Sequence, residues 1–170
     1  MKDRINKRGT FQQAKKTLET LLYHVEEHHG FFYHFIDMKT GKRHRKNEIS
    51  TIDTALCLCG VVSVASFFNQ SIYDLGQKIL DRVDWKSFMF ERENKLFLHM
   101  AYNPDKDGDY TNGRAGFIHQ WDMFAEQLMM YVFAADKYPK DALQLYQDFS
   151  RMKVNFKNNE LIITPGNTLF

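Results

Sequence analysis

Apolar residues return every three or four positions at Phe11, Ala14, Leu18, Leu21, Leu22 and Val25, behind Thr10 and with Gln13 placed to complete a capping box. This pattern predicts an amphipathic helix stopping near Gly30. Phe31 to Asp37 is aromatic and extended, and Lys39-Thr40-Gly41-Lys42 suggests the turn of a loose hairpin. Ser50 and Asp53 open a second helix through Phe68 that is apolar on every side, with Leu56, Leu58, Val61, Val62, Val64 and Phe67, and so should be buried all round. Ser71 caps a third helix to about Val83 or Trp85, one-sided again, with Ile72, Leu75 and Ile79 on its stripe. Lys95 to Tyr102 reads as a strand and Asn103 to Gly116 as a Gly- and Asp-rich loop. A fourth helix, from about Asp122 to Ala135, is apolar nearly everywhere, and Pro139 fits the first turn of an amphipathic fifth with Ala142, Leu145, Tyr146 and Phe149. Val154 to Ile163 reads as a final hairpin around Asn158-Asn159.

One-sided and fully apolar helices therefore alternate, as in a toroid of helical hairpins whose outer ring shields an inner one. The expected fold is all-α, an α/α toroid with short β-hairpins in its loops; an irregular helical bundle is the plainer alternative. At 170 residues the chain reads as one domain, 1–170. On this fold the second and fourth helices run parallel and open their N-termini on the same end.

Charge narrows the partners. Lys and Arg total 23 against 21 Asp and Glu, a net charge of +2 that gives no electrostatic case for nucleic acid or an anionic membrane. The longest uncharged apolar stretch, Thr54 to Phe68, is shorter than the ~20 residues of a membrane-spanning helix. Met1 to Gly9 lacks the apolar core of a secretory signal, leaving a cytoplasmic protein or one exported with its signal removed. Cys57 and Cys59, two apart in a helical pattern, imply no disulfide.

The chemistry rests on carboxylates and rings. Glu48 precedes the second helix, Asp53 lies in its first turn and Glu126 in the first turns of the fourth, so all three should collect at the shared end. Phe31, Phe32, Tyr33 and Phe35 precede Glu48, and Trp121 precedes Glu126. Two carboxyl groups at the mouth of an aromatic cleft suit glycoside hydrolysis, one protonating the leaving oxygen while the other activates water or attacks. Glu126, among Phe124, Leu128, Met129 and Met130, suits the acid if desolvation outweighs the helix dipole. Glu48, in a polar segment, suits the base. The plainer reading of Asp53 is a capping-box partner of Ser50.

Four stretches together resemble the glycoamylase-like family, which includes endo-β-1,2-glucanases and the transglycosylating domain of cyclic β-1,2-glucan synthases: His29-Gly-Phe-Phe-Tyr-His-Phe-Ile-Asp37, Thr40-Gly41, Glu48-Ile-Ser-Thr-Ile-Asp-Thr-Ala55, and Gln120-Trp-Asp-Met-Phe-Ala-Glu126 with the apolar helix after it. The resemblance implies an (α/α)6 toroid, of which this chain would supply about the first half, and cleavage or transfer of β-glucosidic bonds without metal or cofactor. It implies Glu48 as base and Glu126 as acid. Asp37 and Asp53 would hold sugar hydroxyls or shape the site, and Phe32, Tyr33, Trp121 and Asp122 would contact the oligo- or polysaccharide. Ala125 departs from the Asn common in the family. A half-ring would leave apolar flanks that favour self-association.

Other motifs compete. His24-Val-Glu-Glu-His28 matches H-x-x-E-H, two histidines one helical turn apart with Glu27 as possible base of a zinc hydrolase. Asn103-x-Asp105-x-Asp107-Gly108 opens like a calcium loop, but Arg114 stands where the twelfth position needs Glu. His99 and His119 read as core or loop histidines. A non-catalytic carbohydrate- or protein-binding helical module would need the same rings without two carboxyls.

Overall fold

The computed structural model describes residues 7–68, 70–105 and 114–164. The chain divides into two compact units, Met1–Asp84 and Trp85–Phe170. Among the described residues helix accounts for 46% and strand for 27%, with three antiparallel sheets, so the all-α toroid expected from helix alternation is not the fold.

In the first unit the elements are α1 (Lys7–Tyr23), β1 (Glu27–His28), β2 (Phe31–Phe32), β3 (Ile49–Ser50), α2 (Thr51–Phe67) and α3 (Gln70–Arg82). α1 begins before Thr10, so the expected capping box lies inside the helix instead of at its start. It also ends earlier than Gly30. Its last carbonyls are taken by Arg82, whose Nη1 and Nη2 donate to Leu22 (2.9 Å) and Leu21 (3.2 Å) while the guanidinium lies over the Phe32 ring at 5.4 Å. α2 starts where the sequence places it: Ser50 is extended at the N-cap and its Oγ accepts from the Asp53 amide at 3.3 Å. α3 packs against both α1 and α2. The approach to α2 is close because a Cβ on Gly76 would come within 2.7 Å of the Ala65 methyl.

β2 is joined to α2 by one buried side chain. Thr54 is fully buried; its Oγ1 donates to the Ser50 carbonyl at 2.7 Å and accepts from the Phe32 amide at 2.9 Å. Phe31, Ile49, Ala55 and Leu58 are fully buried around it. α2 is not buried all round as its composition predicts, since Leu56, Val62 and Phe67 are exposed.

The second unit contains a 3-10 turn (Trp85–Phe88), β4 (Met89–Arg92), β5 (Lys95–Tyr102), β6 (Phe117–Trp121), α4 (Leu128–Ala135), α5 (Pro139–Asp148), β7 (Met152–Phe156) and β8 (Asn159–Ile163). β5 pairs antiparallel with both β4 and β6. The β4–β5 hairpin turns on Glu93 and Asn94, both at positive φ, as a tight two-residue connection requires. β5 and β6 are bound again at their loop end, where the Asn103 amide donates to Gly116 at 2.8 Å. Beside it Arg114 donates to the carbonyls of Met89 and Ser87, both at 3.1 Å, with its guanidinium 4.0 Å from the Phe117 ring.

α4 starts at Leu128, six residues later than Asp122. The preceding segment is held elsewhere: Ser150 donates to the Asp122 carbonyl at 2.8 Å, Met123 bridges to Ser150, and the buried Gln127 amide donates back to Met123. α4 also leaves Val132 exposed, against the full burial expected. α5 begins at Pro139 as predicted and packs against α4 and β5. β7 and β8 pair as expected, turning on Lys157 and Asn158, one residue earlier than the sequence suggests.

Thr54→Val removes the acceptor of a buried amide and should cost about 1–3 kcal/mol of unfolding free energy, whereas Thr54→Ser should retain most of it. Gly30 sits at φ +84° with room for no Cβ, which would lie 2.6 Å from the Arg82 carbonyl oxygen and the Val83 Cα, so Gly30→Ala should cost more than Thr54→Val. Urea unfolding of the full chain measures both.

Candidate functional site

Glu48 owes its position to a pairing between an aromatic run and a polar loop. Tyr33 bridges Ile49 and Ile36 bridges Arg43, so residues 33–36 lie antiparallel to 43–49. Between the bridges the His34 amide donates to the Glu48 carbonyl at 2.9 Å. Asn47 brackets the Phe35 backbone: its Oδ1 accepts from the Phe35 amide and its Nδ2 donates to the Phe35 carbonyl, both at 3.0 Å. Arg43 closes the loop, donating from Nε to the Asn47 carbonyl at 2.6 Å with its guanidinium over the Tyr33 ring at 5.1 Å.

This pairing gathers two of the expected carboxylates around one imidazole. His34 Nδ1 lies 3.3 Å from Glu48 Oε1, and its Nε2 lies 3.7 Å from Asp53 Oδ2. The ring stacks on Phe35, centroids 4.3 Å apart and planes 12° from parallel. The three side chains are 37–42% exposed, open enough for a ligand to reach them. Asp53 therefore does more than occupy a capping position. Its amide serves the Ser50 cap while its carboxylate faces His34.

Asp37 is used locally. Its Oδ1 accepts from the amides of Lys39 (3.0 Å) and Thr40 (2.9 Å) and from the Thr40 hydroxyl (3.0 Å). The Thr40 amide and hydroxyl, then the Lys39 amide, hold its carboxyl below the usual carboxylate range. Asp37 shapes the turn that carries the loop back.

The rings fall differently from expectation. Phe32 and Trp121 are buried, and Tyr33 is nearly so beneath Arg43, so none of the three offers an open face for a sugar. Phe35 is the exposed ring of the aromatic run, at 59%.

In the second unit Glu126 lies in the turn before α4 and is exposed, so the burial expected to make it an acid is absent. Asp122 is held by neighbours: Gln120 Nε2 donates to its Oδ2 at 2.6 Å and Arg92 Nη2 lies 3.5 Å away.

The metal motifs lose their geometry. α1 ends at Tyr23, so His24 lies beyond it and Glu27 and His28 lie in β1, not one helical turn apart. The Glu27 carboxylate accepts from the Gly30 amide. Among the described residues no group of three or more His, Cys, Asp or Glu side chains could hold a metal ion. In the calcium-like stretch the Asn103 side chain accepts from the Asp105 amide at 3.1 Å, Asp107 and Gly108 lie outside the described residues, and Arg114 is spent on backbone carbonyls. His99 is a core histidine, fully buried between the rings of Phe90 and Phe117. No helix among the described residues is long and apolar enough to cross a membrane.

Sequence reasoning missed His34. The available signal was one polar residue inside an aromatic run, which must leave the core wherever its neighbours enter it. Comparison with protein-family models, curated proteins and solved structures finds no match.

In β1 His28 is held below its ordinary 6.5 by burial first and by the neighbouring His29 second, against an opposing pull from Glu27. The unfolded chain then binds this proton more tightly, so the contribution to stability is complete above 6.5 and is lost as pH falls through the lowered folded value. His28→Gln should lose less melting temperature than the parent between about pH 7.5 and about pH 5.5, as thermal unfolding followed by circular dichroism would show.

Proposed function

We propose that the chain acts as a glycoside hydrolase or transglycosylase on β-glucan, β-1,2-linked in the first instance, by carboxylate acid/base chemistry. The observation that supports this is the grouping of Glu48 and Asp53 around His34 at the solvent-reachable N-terminal end of α2, beside the exposed Phe35 ring. Both carboxylates belong to the Glu48 to Ala55 run that carries the family resemblance.

Each role follows from what a carboxylate can do. Glu48, ionised, accepts a proton from water or a sugar hydroxyl and so serves as base. Glu126, exposed in the turn before α4, is the acid that the resemblance implies. Asp53 accepts hydrogen bonds from sugar hydroxyls in this reading, and the exposed Phe35 ring gives the C–H side of a pyranose a flat apolar face to pack against. Asp37 contributes by shaping the 37–42 turn. No metal or cofactor is required for this chemistry.

Incubation of the full chain with β-1,2-glucan and other β-glucans should release shorter or transglycosylated products, resolved by anion-exchange chromatography. Glu48→Gln and Glu126→Gln should each lower turnover by about 100-fold or more with folding retained. Absence of product from every β-glucan tested overturns the catalytic reading, and binding without product would make the chain a glycan-binding module instead.

A further inference from the structure

We infer that His34 is a positioning residue: its imidazole fixes the carboxylate of Glu48 in the orientation that the proposed base requires. This rests on the glycosidase reading for its kinetic consequence, and on geometry alone for the hold itself.

The argument starts from freedom. Glu48 lies at the end of a loop with its side chain 37% exposed, and a glutamate so placed turns about three bonds unless something holds its oxygens. A carboxylate only accepts, so the 3.3 Å contact with Oε1 is a hydrogen bond in the form of His34 that carries a proton on Nδ1. The donor is itself immobilised. The His34 amide is bound to the Glu48 carbonyl, and the ring lies flat on Phe35, whose backbone Asn47 clamps on both sides. Backbone and side chain of His34 thus grip the same residue, and the gripping ring lies stacked on Phe35.

The two ring nitrogens have separate tasks. Nδ1 serves Glu48, and Nε2, at 3.7 Å from Asp53, is beyond hydrogen-bond range and sets only a distance. Asparagine places an amide NH₂ where histidine has Nδ1, and glutamine reaches towards Nε2. The pair therefore separates the contact with Glu48 from the contact with Asp53.

His34→Asn, His34→Gln and His34→Ala, made in the full chain and checked for folding by circular dichroism, test the inference through kcat and KM on the β-glucan that the parent turns over. His34→Ala and His34→Gln should lose up to about 100-fold in kcat with KM changed less than about threefold, and His34→Asn should recover most of the loss. Equal losses in all three variants, a change in KM alone, or unchanged kinetics would overturn it. A second readout needs no activity: the ¹³C carboxyl resonance of Glu48 and its side-chain couplings should report one fixed rotamer in the parent and in His34→Asn, and averaging in His34→Ala. An inactive parent with that NMR pattern refutes the glycosidase reading and upholds the hold on Glu48, while averaging already present in the parent refutes the hold.

Discussion

The first unit depends on one hydroxyl. Thr54 sits in the first turn of α2, donates to the carbonyl of the capping Ser50 and accepts from the amide of Phe32, in a region that water does not reach. β2 is only two residues long, and so short a strand has too little ladder of its own to keep its place. The buried Thr54 contact supplies the missing constraint. Once Phe32 is tied to α2, the chain beyond it must run across the helix N-terminus, and residues 33–36 come to lie beside 43–49.

From that constraint the site follows in short steps. Tyr33 goes inward against Ile49, so His34 goes outward; Asn47 holds the next residue; Glu48 and Asp53, on either side of the Ser50 cap, face the same ring. Four polar residues of the Glu48 to Thr54 run share the structural and site contacts. Ser50 caps, Thr54 ties the strand, and the two acids point at His34. Arg82 reinforces the frame from the far end of α3 by closing the C-terminus of α1 while covering Phe32.

The parts legible in the sequence were those whose cause is local. α2 and α5 announce themselves through Ser50 and Pro139, and α3 through an apolar stripe at helical spacing. β5 shows as an aromatic and aliphatic run. The misread parts are set by partners distant along the chain. Met123 and Phe124 fit a helical period, yet Ser150 holds Asp122 and Met123 out of the helix. β4 was hidden because Glu93-Asn94 is an unusual two-residue turn, and overlooking it, with β6, made an all-α reading possible. For the site, Glu48 and Asp53 could be read from their motif, whereas His34 could not. Its placement depends on Asn47 engaging Phe35 twelve residues earlier, which leaves no periodic trace. The aromatic residues misled for a similar reason, because side-chain type does not say which face of an extended run the core will take.

In the second unit, the sheet is sealed on its own side of the stretch connecting β5 to β6. The Asn103 amide meets Gly116, and Arg114 grips Met89 and Ser87, so the end of β5 and the chain entering β6 are tied to their neighbours at this margin. The register of β5 against β6 is thus locked at this margin, since a slip of one residue would break the Asn103–Gly116 bond and turn every side chain of the strand to the opposite face.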